Sequence, residues 1–418
     1  MTILLKSATI IDPQSEFHNT TQDILIENGT ILKISNNIKN TNDYEEVKLK
    51  NLHVSQGWFD SSVCFGEPGY EERETIKNGL KVAASSGFTT IALNSNTNPV
   101  LDTNSDITFI TSKASNNIVT VLPIGALTIG SKGEDLAELY DMSTSGAVAF
   151  YDYKKPITNP NLMKIALQYA ANFNGLVCSF PQENKISGHG VMNENVTSTK
   201  LGLKGIPALA EALQVARDLF LLEYTGGKLH IPTISTAPSV ALIREAKKNK
   251  LDVTCSVAIH NLCISDEALT SFDSNLKVLP PLRTQTDIDA LIAGAKDGTI
   301  DMVTADHSPI DIEEKKVEFD HAEYGTIGLE SAFGALQTVF TTKKTIELLT
   351  NGKKRFGVEE SAINIGNKAN ITLFNPDTKY TFDNNHIISR SKNSIFVGAE
   401  LKGTVYGIIS NNKIHLNN

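Results

Sequence analysis

Short apolar segments alternate with helix-like segments through the middle of the chain, and this alternation strongly limits the folds available to it. The apolar segments, in chain order, are 89–93, 119–124, 146–150, 176–179, 251–255 and 302–304. Stretches such as 206–224 and 239–249 lie between them and carry apolar residues at three- and four-residue spacing, which predicts amphipathic helices. Repeated strand–helix alternation predicts a parallel sheet with helices packed on it, most simply a TIM-type (β/α)8 barrel.

Both ends of the chain carry strand and hairpin signals instead. Residues 23–34 contain two apolar strands joined by an Asn-Gly pair, which is a strong hairpin signal. Residues 403–414 predict a second hairpin, and 369–376 predict a strand that leads into a turn. We therefore predict an α/β protein in which residues 1–55 and 364–418 form a small composite β-sandwich and residues 56–363 form the barrel.

Composition excludes several classes of function. The 418 residues are 40% hydrophobic and 20% charged, with a net charge of -9 and no basic stretch, which argues against nucleic acid or an anionic membrane as a partner. No apolar run is long enough to span a bilayer. The N-terminal residues lack the pattern of an export signal, and four cysteines are scattered without a CxxC pair. We therefore expect a cytoplasmic protein with reduced thiols.

Residues 56–69 resemble a known family signature. Their sequence, Gln-Gly-Trp-Phe-Asp-Ser-Ser-Val-Cys-Phe-Gly-Glu-Pro-Gly, resembles the Asp-x-His-x-His-x-Arg-Glu-Pro-Gly strand of the dihydroorotases, a branch of the amidohydrolases. Segments resembling other signatures of that family follow in its order, at 87–90, 96–99, 190–194, 201–207, 280–283, 297–301 and 328–330. The resemblance covers nearly the whole chain. It implies a barrel enzyme of pyrimidine biosynthesis that uses zinc to open a cyclic amide.

The same resemblance implies metal ligands at positions where this chain carries other residues. Ser62 and Cys64 stand in place of the paired histidines of the first strand. The barrel-centre motif Ala-Phe-Ser-Asp-Asp-Gly corresponds to residues 149–154, which puts Tyr153 at the ligand aspartate. A shift of one residue in this alignment would put Asp152 there instead.

Two further ligand positions differ, and one is kept. Phe180 replaces the histidine of a His-x-Glu-Asp motif, and Thr233 replaces the second histidine of a His-x-x-His-x-Ser-Thr motif. Asp306 is retained, and the resemblance implies that it is both a metal ligand and the general acid/base. Because zinc prefers imidazole, thiolate and carboxylate ligands, we expect no bound metal and an idle Asp306.

The positions that would contact dihydroorotate are changed as well. Gly66 replaces an arginine, Leu279 an asparagine and Ile310 a histidine, whereas Asn96 is retained. Losing the arginine removes the strongest contact to a substrate carboxylate.

The sequence therefore supports two hypotheses. The first is a catalytically inactive dihydroorotase-like protein that acts as a scaffold, as a homo-oligomer or in complex with aspartate transcarbamoylase or an active dihydroorotase. The alternative is an active cyclic amidohydrolase that converts dihydroorotate to N-carbamoyl-aspartate with a remodelled zinc site. Cys64 could serve such a site as a ligand, or as a nucleophile with His260 or His307 as its base, but a buried structural thiol is the simpler interpretation.

Overall fold

The structure is a computed structural model that describes residues 2–40 and 44–417. Residues 1, 41–43 and 418, which belong to the predicted terminal segments 1–55 and 364–418, lie outside the described residues. The predicted α/β class and the barrel with a β-rich second unit are confirmed. The exact domain boundaries stay a prediction.

The strands and helices alternate through the middle of the chain. The strands are β1 (Thr2–Ile10), β2 (Thr21–Glu27), β3 (Thr30–Ser35), β4 (Glu45–Val47), β5 (His53–Gln56), β6 (Trp58–Val63), β7 (Phe88–Leu93), β8 (Thr120–Gly125), β9 (Ala149–Phe150), β10 (Leu176–Cys178), β11 (Met192–Asn193), β12 (Gly205–Ile206), β13 (Lys228–Ile231), β14 (Val253–Ala258), β15 (Met302–Thr304), β16 (Ile371–Thr381), β17 (Glu400–Ser410) and β18 (Lys413–Leu416). The helices are α1 (Ile76–Ser85), α2 (Asn104–Lys113), α3 (Leu139–Thr144), α4 (Pro160–Ala171), α5 (Asn184–Ser187), α6 (Val196–Leu201), α7 (Ala208–Thr225), α8 (Ala237–Lys248), α9 (His260–Cys263), α10 (Gln285–Asp297), α11 (Ile312–Lys315), α12 (Leu329–Val339) and α13 (Thr342–Thr350).

Strands from both ends of the chain form one sheet. Its order is β18-β17-β16-β5-β1-β2-β3, with β4 beside β1. The predicted hairpin between β2 and β3 turns at Asn28 and Gly29, whose φ angles of 50° and 75° suit a tight turn between twisted strands. Ile3 near the start of the chain and Leu373 near its end share one buried apolar cluster, so neither terminal segment has a complete core without the other.

The middle of the chain forms a parallel barrel. Its eight strands follow the order β15-β14-β13-β10-β9-β8-β7-β6. The two edges meet where Val63 pairs with His307 and where the backbone N–H of Cys64 donates to the carbonyl of His307 at 2.8 Å. The predicted helices 206–224 and 239–249 appear as α7 and α8, each within two residues of the expected bounds.

The barrel interior is filled by large side chains. Phe59, Tyr151, Phe180, Met302 and Phe356 pack there in one buried apolar cluster. The strands therefore surround a packed core, and functional residues can lie only at the strand ends. In residues 2–40 and 44–417, no helix combines the length and the apolarity needed to cross a membrane.

Candidate functional site

The carboxyl ends of the barrel strands bring the predicted site residues to one end of the barrel. Ser62 and Cys64 come from the end of β6, Tyr153 follows β9, and Phe180 follows β10. Thr233 and Asp306 follow β13 and β15 in the same way. These are the positions from which parallel barrels present their catalytic groups.

Asp306 is the centre of the site, and a lysine neutralises it. The Lys154 ammonium lies 2.8 Å from Oδ2 of Asp306. The other carboxylate oxygen, Oδ1, accepts hydrogen bonds from the Ser62 hydroxyl at 3.2 Å and the Tyr153 hydroxyl at 3.4 Å. The side chains of Lys154 and Asp306 are only 10% and 2% exposed, so water does little to screen this ion pair.

Burial dominates the electrostatics of this carboxylate. Removal from water raises the pKa of Asp306, while the Lys154 ammonium and the hydroxyl donors act in the opposite direction. An unpaired carboxylate at this depth would be strongly unfavourable. The lysine therefore supplies the positive charge that this buried group requires, and its ammonium also lies 5.2 Å from the centre of the Tyr153 ring.

The role of Lys154 was missed from the sequence, although a signal was present. Its position corresponds to the glycine that ends the family's barrel-centre motif. The backbone there keeps the left-handed conformation that glycine tolerates, with φ of 53° at Lys154. A long cationic side chain at a position where the family motif has glycine is the pattern that could have revealed it.

Hydrogen bonds hold the side chains of Asp152 and Tyr153 in different places. Asp152 accepts from the backbone N–H groups of Leu127 and Thr128 at 2.9 and 3.0 Å, and from the Thr128 hydroxyl. It therefore holds the loop after β8. Tyr153 is the residue that faces Asp306.

Cys64 has the properties of a buried thiol. It is 2% exposed, its sulfur accepts from Nδ2 of Asn94 at 3.5 Å, and burial raises its pKa to about 12. The two histidines considered as its base are also buried, and loss of hydration lowers the pKa of His260 to about 3 and of His307 to about 4. Nδ1 of His307 is occupied by the backbone N–H of Gly328 at 3.2 Å. The groups needed for a thiolate nucleophile are therefore not assembled.

At two of the ligand positions that the family resemblance implies, Phe180 and Thr233 carry side chains that do not suit zinc. Phe180 is 1% exposed and belongs to the barrel's apolar core. Thr233 is 2% exposed, and its hydroxyl has no hydrogen-bond partner among the described residues. Its φ of 50° is unusual for a β-branched residue, so the backbone here keeps a conformation that its present side chain does not favour.

The backbone has closed over the position of the expected arginine. A Cβ atom added to Gly66 would lie 1.7 Å from the carbonyl oxygen of Tyr70. Gly66 also donates its N–H to the Glu74 carbonyl at 2.9 Å and accepts from the N–H of Tyr70 at 2.8 Å. No side chain fits at this position without a movement of the loop.

The other positions expected to contact substrate carry either apolar side chains or a polar atom without a hydrogen-bond partner among the described residues. Leu279 packs against the apolar core of the barrel, and Ile310 is 5% exposed. Asn96 is retained and half-buried. Its side-chain oxygen Oδ1, like Nε2 of His260, is buried without a partner in the described part of the chain. Asn94, which the sequence did not suggest, instead donates to Ser62 at 3.0 Å.

Asp60 keeps this end of the barrel in register. It accepts from the Thr304 hydroxyl at 2.5 Å, from the N–H of Ala305 at 2.7 Å and from the N–H of Ser62 at 2.9 Å. Burial raises its pKa to about 6. Asp60 therefore joins β6 to β15 beneath Asp306 and has a positioning role.

The donor set at this end of the barrel does not fit zinc. A zinc site normally needs three or more protein ligands. Within residues 2–40 and 44–417, no group of three or more histidine, cysteine, aspartate or glutamate side chains is placed to hold a metal ion. A lysine ammonium, which repels cations, lies against the central carboxylate of Asp306.

The fold matches solved structures of hydantoinases and dihydropyrimidinases. The L-hydantoinase (dihydropyrimidinase) from Arthrobacter aurescens aligns over 99% of this chain and 96% of its own, with a TM-score of 0.86 and 19% identity. The dihydropyrimidinase from Brevibacillus agri NCHU1002 aligns over 100% and 95%, with a TM-score of 0.83 and 19% identity. At this identity, the likeness shows the fold class alone.

Sequence comparison shows the family. A family model described as dihydro-orotase-like matches residues 53–239. A dihydroorotase from Pelotomaculum thermopropionicum is 41% identical over 99% of this chain and 98% of its own length. One from Thermoanaerobacter sp. (strain X514) is 41% identical over 97% and 95%. The chain belongs to the dihydroorotase-like family.

Proposed function

We propose that this protein acts in pyrimidine biosynthesis as a dihydroorotase-family scaffold that does not hydrolyse dihydroorotate. Family membership supports the pathway. The geometry of the barrel end supports the absence of zinc-dependent hydrolysis, and a cytoplasmic location fits both.

One observation carries this proposal. The Lys154 ammonium lies 2.8 Å from Asp306, the one family metal ligand that the chain retains. In zinc hydrolases the metal generates the attacking hydroxide from bound water and polarises the scissile carbonyl. A lysine ammonium lacks the open coordination positions needed for either task. Both oxygens of Asp306 also accept hydrogen bonds, from Lys154, Ser62 and Tyr153, so a substrate proton would compete with these donors for the carboxylate.

The changed substrate positions support the same proposal. The closed backbone at Gly66 leaves no room for a side chain, and Leu279 and Ile310 offer no polar group to a charged ring. A barrel that has lost both sets of contacts still keeps its folded surface. We therefore propose assembly as its role, with aspartate transcarbamoylase or an active dihydroorotase as partner.

The second candidate is an active dihydroorotase with a remodelled site, and the relatives support it better than they support inactivity. Both reported relatives are named dihydroorotase and align over nearly their full length. Asn96 and His260 also keep buried polar atoms without partners, which a bound polar ring could satisfy. This candidate requires zinc, and Lys154 would have to move away from Asp306 to admit it.

Turnover separates the two candidates. The protein is purified from a host that lacks dihydroorotase and is assayed with dihydroorotate and with N-carbamoyl-aspartate, with and without added zinc. The Asp306→Asn variant is the matched control, because a contaminating enzyme would be equally active in both preparations. Equal, background-level turnover by the wild type and by Asp306→Asn supports the inactive scaffold. Zinc-dependent turnover that Asp306→Asn abolishes would establish the second candidate.

A further inference from the structure

A small open cavity lies at the carboxyl end of the barrel, next to the site around Asp306. Its volume is about 270 Å³. Its walls come from the loops that follow β8 and β9 and from the first residue of α5. The positions that the family resemblance assigns to metal and substrate, Asp306 and Asn96 among them, do not line it. We call it the lysine cavity, after Lys132, Lys154 and Lys155 in its lining.

Two of the three lysines carry an uncompensated charge. The Lys154 ammonium is neutralised by Asp306 at 2.8 Å. Lys132, from the loop after β8, and Lys155, from the loop after β9, are exposed. Within residues 2–40 and 44–417, their side chains have no ion-pair or hydrogen-bond partner. Two free positive charges therefore meet at one cavity of a chain whose net charge is -9.

The other polar groups of the lysine cavity are able to donate hydrogen bonds. Asp152 lines the cavity, but its carboxylate is 2% exposed and already accepts from the backbone N–H groups of Leu127 and Thr128 and from the Thr128 hydroxyl. The Thr158 hydroxyl and Nδ2 of Asn184, which also lie in the lining, have no partner among the described residues. Ammonium, hydroxyl and amide donors without a free acceptor favour an oxyanion as the ligand.

The kind of cation and the size of the cavity narrow the ligand further. Arginine, whose planar fork matches a carboxylate, does not line the cavity. Lysine ammonium groups are compact point charges that commonly bind phosphate. Two free charges match a phosphate dianion. A volume of about 270 Å³ equals that of roughly nine water molecules, which accommodates a phosphate with a short organic group.

We propose that the lysine cavity binds a small phosphate anion, either inorganic phosphate or a small phosphomonoester. Lys132 and Lys155 supply the charge that attracts the anion, and Thr158 and Asn184 supply neutral donors. The wall formed by Lys154 separates the anion from Asp306. This inference goes beyond the proposed function and does not depend on it, because its test measures phosphate binding and not turnover.

Isothermal calorimetry of the full chain in phosphate-free, low-salt buffer tests the proposal. We expect inorganic phosphate to bind with a Kd at or below about 1 mM, and added sodium chloride to weaken the binding. The double variant Lys132→Ala/Lys155→Ala should bind phosphate at least about tenfold more weakly, since both free charges are lost. Glycerol 3-phosphate is the second probe. Tighter binding of glycerol 3-phosphate than of phosphate identifies a phosphomonoester site, and the reverse order identifies a site for free phosphate.

Lys33→Ala/Lys48→Ala is the matched control. It removes the same number of charges from exposed lysines of the N-terminal segment, so phosphate should bind this variant as it binds the wild type. Circular dichroism establishes that each variant is folded, and Lys132→Gln/Lys155→Gln replaces the alanine variant if that one is not.

Three results would overturn the proposal. The first is no saturable binding up to about 10 mM of either phosphate probe. The second is equal weakening of phosphate binding in both double variants, which would show a general effect of net charge. The third is equally tight binding of succinate, a dicarboxylate, which would show that the cavity does not select phosphate.

Discussion

Replacing Lys154 with methionine tests whether the lysine neutralises Asp306. Methionine keeps much of the side-chain volume and removes the ammonium that lies 2.8 Å from the carboxylate. Both partners are nearly inaccessible to water, at 10% and 2% exposure. The variant therefore leaves a buried carboxylate without its counter-charge.

The expected cost follows from this burial. Removing one partner of a buried ion pair typically costs about 3–5 kcal/mol. Asp306 keeps hydrogen bonds from Ser62 and Tyr153, but these are long, at 3.2 and 3.4 Å. We expect a loss of about 3 kcal/mol in the free energy of unfolding at pH 8. With about 2.1 cal/mol/K of unfolding entropy per residue, this corresponds to a fall of roughly 3 °C in Tm.

The loss should depend on pH in a defined direction. Burial raises the pKa of Asp306, and removing the ammonium raises it further, so the folded variant binds this proton more tightly than the unfolded chain. The favourable contribution of such a group is fully present below its unfolded pKa, near 4, and is lost as the pH rises through the folded value. The variant should therefore approach wild-type stability near pH 5 and fall away towards pH 8.

Urea unfolding between pH 5 and pH 8, followed by circular dichroism, measures this difference. Lys155→Met is the matched control, because Lys155 is the exposed neighbour and its loss should cost less than about 0.5 kcal/mol. In the double variant Lys154→Met/Asp306→Asn, the charge is removed with its partner, and most of the stability should return. A Lys154→Met variant as stable as the control at every pH would refute this account.

Three further predictions concern the altered ligand and substrate positions. Gly66→Arg should destabilise the fold by about 3 kcal/mol or more, because its Cβ would lie 1.7 Å from the Tyr70 carbonyl oxygen. If the variant is stable and calorimetry shows that it binds dihydroorotate, the loop that contains Gly66 can open and this prediction is wrong. The double variant Ser62→His/Cys64→His should bind no zinc and show no turnover, because the buried Phe180 side chain still fills one of the implied ligand positions. Measurable zinc-dependent activity in this variant would contradict the inactive reading of the site. Cys64 should resist iodoacetamide at pH 8 in the folded protein and react only in urea, because its pKa is about 12 and it is 2% exposed; peptide mass spectrometry detects the label.

The sequence predicted the fold well because its patterns are local. The Asn-Gly pair at 28–29 requires a tight turn, and the structure has one. The repeated strand–helix alternation led directly to the barrel, and the family motifs placed Ser62, Cys64 and Asp306 at the strand ends where the structure has them. The pairing of both chain ends in one sheet followed from their shared strand pattern.

The sequence did not reveal the interactions that depend on distant residues. Lys154 and Asp306 are separated by 152 positions, and only the closed barrel brings them together. Which of Asp152 and Tyr153 faces Asp306 depends on how the loop after β9 turns, and the backbone N–H groups of residues 127 and 128 bind the Asp152 carboxylate. The obstruction at Gly66 is a contact with backbone four residues away, and residue type alone carries no sign of it.

The ion pair also gives a physical reason for a carboxylate at position 306 when the other ligand positions implied by the family resemblance carry different side chains. A buried carboxylate needs a compensating charge. In a zinc enzyme the metal provides it, whereas here Lys154 does so from a position where the family motif has glycine. Retention of Asp306 is therefore explained by stability as readily as by catalysis.

Zinc content tests the central claim most directly. The untagged protein is grown with added zinc, purified without chelators and analysed by elemental mass spectrometry, with the Lys154→Gly/Asp306→Asn variant as a reference for adventitious binding. The account predicts zinc far below one ion per chain, equal in both proteins. One or two tightly held zinc ions per chain, lost in the variant, would show that Lys154 gives way to a metal and would contradict the account.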